Sequence, residues 1–153
     1  MSTYFFDSSA LVKRYAQETG TNWIAGIAEP QANNLLYIVR LTAVEVTAAI
    51  ARRRRGKSLS PNDAASALAQ FNHDLFNQYR VIEVSPQLLN TATGLADQYS
   101  LRGYDAVQFA TSLTLHTQRR AMNLSNLILV SADKELNAAA QAEGLQIENP
   151  NDH

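Results

Sequence analysis

Short apolar runs alternate along the chain with longer stretches in which apolar residues return every third or fourth position. Thr3–Phe6 (TYFF), Leu35–Val39 (LLYIV), Val81–Val84 (VIEV), Leu127–Val130 (LILV) and Leu145–Ile147 are the runs, and their length and composition predict buried strands. The stretches between them read as helices. Ser60-Pro61-Asn62-Asp63 is a start signal, with Ser60 suited to the N-cap and Pro61 to the first helical position. Leu68, Phe71, Leu75 and Tyr79 then make one apolar face. Ser85-Pro86 repeats the signal before Leu88, Leu89, Ala92, Leu95 and Ala96. A further helix is expected to follow Asp105 through Val107, Phe109, Ala110 and Leu113, and another to run from near Ser131 to a stop at Gly144. Strands alternating with helices imply a parallel sheet covered on both faces. The predicted class is α/β, a three-layer α/β/α sandwich around a central parallel sheet of four or five strands. There is no internal repeat or linker, so residues 1–153 are expected to form a single domain.

Composition narrows the setting. Apolar residues make up 46% and charged residues 18%, which suits a folded globular chain rather than a disordered one. No apolar run approaches the roughly 20 residues of a membrane helix. The N-terminus lacks a basic segment and meets Asp7 early, so it does not read as a signal peptide. With no cysteine there is neither a disulfide framework nor a thiolate metal site. A cytoplasmic protein with no membrane partner is the expectation. The net charge of −1 argues against coating nucleic acid through bulk charge, yet Arg52, Arg53, Arg54 and Arg55 run consecutively and Lys57 follows. Such a run serves a solvated helix end, whose cations complement the macrodipole, or contacts a phosphate chain. Both roles can hold at once. Counting helical turns from Glu45 puts Arg52 on a similar face, so Arg52 is the arginine expected to reach a crevice there, as an RNA contact or paired with a carboxylate. The other three are expected to be solvated or to meet an acidic partner.

The candidate chemistry sits where strands end. Asp7 follows the first predicted strand and Asp133 follows the fourth, through Ser131-Ala132. Glu45 is expected in the first turn of the helix after Leu35–Val39, and Asp105 at the start of another. Ligands of open parallel sheets bind at the carboxyl ends of the strands, so these acids are expected to face one crevice. Each also has a structural use. Thr42-Ala43-Val44-Glu45 matches a capping box, Asp7 and Asp105 suit N-caps, and Asp133 suits the positive end of a helix. Capping alone gives no reason for four acids to converge, however. Converging carboxylates repel and must take up protons or bind a cation. An all-oxygen site favours Mg²⁺ or Mn²⁺ over zinc or copper, and such a site can activate water against a phosphodiester. Ser9 and Ser131 are placed to hydrogen-bond the carboxylates and orient them. His73, His116 and His153 read as structural or surface residues.

Four segments carry a family resemblance. Tyr4-Phe-Phe-Asp-Ser-Ser-Ala-Leu-Val-Lys-Arg-Tyr15, Leu41-Thr-Ala-Val-Glu45, Leu101-Arg-Gly-Tyr-Asp105 with its sequel to Thr111, and Leu129-Val-Ser-Ala-Asp133 resemble, in order, the four acidic motifs of PIN-domain proteins. The closing Gly144-Leu-Gln-Ile-Glu-Asn-Pro150 is similar to the usual end of such domains. The resemblance implies a metal-dependent ribonuclease selective for single strands, with Asp7, Glu45, Asp105 and Asp133 as catalytic metal ligands. The small stand-alone form resembles VapC-type toxins, which implies a homodimer held inactive by an antitoxin protein. Position 131 is Ser where the pattern more often has Thr, and position 108 is Gln where many relatives carry His. The second departure touches a secondary polar contact. A PIN-domain nuclease of RNA processing without an antitoxin keeps the same chemistry and stays open. A phospho-signalling receiver fits poorly because Asp7 is followed by Ser8 and Ser9 rather than by a second acid, and a dehalogenase-type phosphatase fails at position 9.

Overall fold

The computed structural model describes residues 1–153. Five strands, β1 (Thr3–Phe6), β2 (Leu35–Val39), β3 (Arg80–Ile82), β4 (Leu127–Val130) and β5 (Gln146–Glu148), form one sheet in the order β3-β2-β1-β4-β5. Every pairing is parallel. The two edge strands depart from the expected runs, Arg80–Ile82 replacing Val81–Val84 and Gln146–Glu148 replacing Leu145–Ile147. An edge strand needs partners on one side only, so hydrogen bonding to its inner neighbour, not apolar content, sets its ends.

Seven helices cover the sheet: α1 (Ser8–Tyr15), α2 (Thr21–Ala28), α3 (Leu41–Arg55), α4 (Pro61–Asn77), α5 (Pro86–Tyr99), α6 (Gly103–Ala121) and α7 (Lys134–Ala142). Side chains alternate across the strands and split the core in two. Phe5, Val39, Leu127 and Leu129 point toward α5, α6 and α7. Phe6, Leu36, Ile38 and Val130 point the other way, toward α1 to α4. The three-layer sandwich is therefore present, with five strands. Ser60 and Ser85 cap α4 and α5 as expected, each accepting the N–H of the residue three positions on. Two helix starts differ. α6 begins at Gly103, so Asp105 lies inside its first turn and is not its N-cap. α7 begins at Lys134 with Asp133 as N-cap, and ends before Gly144, whose φ of +87° closes the turn. No helix is long and apolar enough to cross a membrane.

The chain leaves β1 for β2 on one side and later returns to place β4 on the other. The switch point between β1 and β4 is where an open sheet offers a crevice. Two contacts hold the flank of this region. Arg14 donates to Gln78 and Tyr79 at 2.7 Å each, and Tyr15 donates to Asp74 at 2.7 Å, pinning α1 to α4. Gly20, with φ +89°, lies so close to the Pro150 carbonyl that a Cβ would sit 2.2 Å from its oxygen.

This contact separates two glycines of similar backbone. Gly20→Ala is expected to cost the roughly 1–2 kcal/mol of a left-handed L-residue plus the clash with Pro150. Gly144→Ala meets open space and carries the first cost alone. Denaturant unfolding of both variants checks the ranking, and equal losses would mean that the Pro150 contact yields without cost.

Candidate active site

Asp7 closes β1 and caps α1. Its Oδ2 accepts the Ser9 N–H at 3.3 Å, the Ser9 hydroxyl at 2.5 Å and the Ser131 hydroxyl at 3.2 Å, so all its protein donors fall on one oxygen. The serines are themselves fixed: Ser9 Oγ accepts the Ala132 N–H at 3.0 Å and Ser131 Oγ accepts the Asp133 N–H at 3.1 Å. The two hydroxyls lace the end of β1 to the end of β4 and orient the carboxylate, the geometry expected of Ser9 and Ser131.

Glu45 is not the partner in a capping box. α3 starts at Leu41, which makes Glu45 its fifth residue, beyond the first turn, and the N-cap, Arg40, has no side-chain cap. Glu45 Oε1 instead accepts Ser8 Oγ at 2.8 Å and Gln108 Nε2 at 2.9 Å. Gln108 is fully buried and also donates to Thr42 Oγ1 at 2.9 Å, so the Thr42 hydroxyl serves α6 rather than its own helix end. What the sequence suggested as a secondary contact is the clamp that sets Glu45. Its signal was one polar residue inside the apolar Ala106–Ala110 run, one turn after Asp105.

Asp133 caps α7 through Oδ1, which accepts the Glu135 and Leu136 N–H groups at 2.9 and 3.1 Å. Asp7, Glu45 and Asp105 line one crevice of about 670 Å³, and Asp133 stands just outside its lining, beside Ala132. The electrostatics join all four. Burial pushes the Asp7 carboxyl up to about 6; the Ser9 hydrogen bonds oppose the rise and the Glu45 charge adds to it. Burial also raises Asp105 to about 6, helped by the charges of Asp133, Asp7 and Glu45. No three of these acids stand close enough to form a ready-made metal cage. The donor chemistry nonetheless fits a hard divalent ion. Every candidate ligand is a carboxylate oxygen, the carboxyls repel one another, and magnesium needs only one or two from protein while waters supply the rest.

The crevice continues along one stripe of α3: Glu45, Ala48, Ala49, Arg52 and Arg53. These positions are i, i+3, i+4, i+7 and i+8, a single helical face. Arg52 therefore reaches the crevice as expected, but pairs with no carboxylate. Arg53 departs from expectation: it lines the crevice too and donates to Glu18 at 2.9 Å. Lys13 and Glu18, which the sequence did not single out, complete that wall. The histidines stay outside it. His73 is exposed, His116 is buried within α6, and His153 stacks on Trp23.

No protein-family model matches the chain. In sequence it is similar to Ribonuclease VapC45 of Mycobacterium tuberculosis, with 29% identity over 147 residues that span 96% of this chain and 95% of the relative. In structure it is similar to PAE2754 of Pyrobaculum aerophilum, with a TM-score of 0.62, 23% identity, and 95% of this chain and 89% of that one covered. It also resembles VapBC2 of Rickettsia felis bound to a DNA fragment from its promoter. There the TM-score is 0.59 and the identity 17%, with 96% of this chain and 98% of that one covered. The five-stranded parallel sheet covered by helices matches the PIN-like α/β/α fold of such structures, and its acids lie at the carboxyl edge. Within that class the likeness in sequence is to the VapC-type proteins.

The raised carboxyls set the pH dependence of the metal-free fold. A group held above its unfolded value stabilises the fold at low pH, and that stability is lost as pH rises through the folded value. For Asp7 the window runs from the ordinary carboxylate range up to about 6. The melting temperature in EDTA is therefore expected to rise as pH falls from 7.5 to 5. Asp7→Asn should flatten the rise and melt higher than wild type at pH 7.5. An unchanged pH slope in that variant would show that Asp7 is not its source.

Proposed function

We propose that the chain is a Mg²⁺- or Mn²⁺-dependent endoribonuclease that cleaves RNA phosphodiesters with activated water, and that it is the toxin of a toxin–antitoxin pair. One observation carries the reading: Asp7, Glu45 and Asp105, from three separate segments, line one crevice, and Asp133 stands beside Ala132 at its edge. The similarity to a protein named Ribonuclease VapC45 along nearly the whole chain supports RNA as the substrate. A bound divalent cation supplies an activated water and neutralises charge at the phosphodiester. Asp7, Glu45, Asp105 and Asp133 would hold it.

The chain's own residues prepare that site. Ser9 and Ser131 occupy Oδ2 of Asp7 and leave Oδ1 without a protein donor. Ser8 and Gln108 fix Oε1 of Glu45. Capping of α7 uses Oδ1 of Asp133 and leaves its second oxygen. Arg52, with no acid partner, meets the phosphate chain. Val44 and Tyr104, 61% and 58% exposed at the crevice, offer apolar surface to a partner segment. Likeness in fold to the VapBC2 complex supports an antitoxin as that partner, and the reading includes a homodimer.

Mg²⁺ or Mn²⁺ is expected to support cleavage of single-stranded RNA, and EDTA to abolish it. Asp7→Asn and Glu45→Gln should each lower activity by more than the roughly 10–100-fold typical of residues behind the ligands. Glu45→Gln keeps an oxygen for Ser8 and Gln108, so its melting temperature should stay near wild type. Full cleavage in either variant, or in EDTA, sinks the assignment.

Arg52→Ala is expected to weaken RNA binding and to reduce the log–log salt slope by about 0.7, the share of one single-strand phosphate contact. Arg54→Ala, off the crevice stripe, should change neither. A binding series across salt checks both, and equal effects would mean that the arginine run acts as diffuse charge.

A further inference from the structure

Lys13 projects from α1 into the crevice wall with its side chain only 7% exposed. A buried ammonium requires a counter-charge. Glu18 provides it, with Oε2 3.5 Å from the Lys13 Nζ, while its other oxygen accepts the Arg53 guanidinium at 2.9 Å. One carboxylate thus bridges two cations that come from different helices, α1 and α3. The Glu18 backbone is anchored: its N–H donates to Thr21 Oγ1 at 2.9 Å, whose hydroxyl donates to the Lys13 carbonyl at 2.7 Å. Gly20, two residues on, is pressed against Pro150. The Glu18 side chain is 30% exposed and so has solvent to rotate into.

The charge balance at this wall is uneven. Lys13, Arg53 and the unpaired Arg52 face a single acid, while the other end of the same crevice is acidic. A bidentate carboxylate between an ammonium and a guanidinium has the donor geometry that two non-bridging phosphate oxygens also satisfy. We propose that Lys13 and Arg53 form a phosphate subsite for the RNA strand, in which Glu18 holds the place of a phosphate and swings aside when the strand binds. This rests on the crevice being the RNA site. Eight residues separate Glu45 from Arg53, about 12 Å of helix rise, so the phosphate held here is not the one cleaved.

The test is anisotropy of a labelled single-stranded RNA oligonucleotide in EDTA, across a salt series, with wild type, Glu18→Gln and Arg53→Gln. Glu18→Gln removes the resident anion and is expected to bind several-fold tighter with a steeper salt slope. Arg53→Gln is expected to bind weaker, with a slope smaller by about 0.7. Glu18→Gln binding no tighter than wild type overturns the proposal, since a merely structural ion pair leaves the cations misplaced when it is broken. If Glu18→Gln fails to fold, Arg53→Gln decides alone, and an unchanged affinity and slope in it overturns the subsite. A wild-type protein that binds no RNA overturns both this and the reading of the crevice. RNA binding that responds as expected, in a protein that does not cleave RNA with Mg²⁺, removes only the catalytic reading.

Discussion

A carboxyl group buried at the end of the central strand is the constraint around which the site is arranged. Asp7 is 3% exposed, and removing an ionisable group from water disfavours its charged form. The surroundings answer with hydroxyls and not with a cation: Ser9 and Ser131 donate to one oxygen, and no lysine or arginine pairs with it. An arginine at hydrogen-bond distance would have stabilised the charge and consumed the ligand capacity together. The serines orient the group, leave its charge uncompensated, and so leave the crevice attractive to a positive ion.

The same economy runs along α3. The arginines at its end complement the helix macrodipole, which stabilises the helix whatever the function, while Glu45 stands beyond its first turn. Because one stripe of α3 also walls the crevice, this ordinary charge placement makes the crevice acidic at the sheet edge and basic at the far end. Helix capping and membership of the acid group coincide in Asp7 and Asp133. They do not coincide in Glu45, whose partners lie on α1 and α6.

The inner strands were legible because each is buried on both faces, which leaves a dense apolar signature. β5 shifted by one residue, and β3 began one residue early and ended two early, because edge pairing, invisible in composition, sets their limits. Serine–proline starts marked α4 and α5 well. α1 and α2 lack that signal, one being capped by Asp7 itself and the other opening on a left-handed glycine. The acids were legible through their positions after strands. Gln108 was legible as a polar contact but not as the residue that sets Glu45, and Ser8, Lys13 and Glu18 were not legible, since their roles depend on contacts between α1, α3 and α6. Arg53 was misjudged by counting a single seven-residue step where the stripe also includes the eighth.

The pairing of β4 beside β1 has a temporal consequence. Asp7 and Ser131 are 124 residues apart in sequence, and the Asp7 N–H bonds the Val130 carbonyl. A growing chain that has not yet reached β4 has the first strand, both amino-terminal helices and Asp7, but neither the hydroxyl that orients that carboxyl nor Asp133. Contacts of such long sequence separation form late, because the intervening loop must be closed first. During synthesis on a ribosome, which adds residues amino-terminus first, the acid group remains unassembled until nearly the whole chain has emerged. The topology alone thus keeps the acid group from assembling on an unfinished polypeptide.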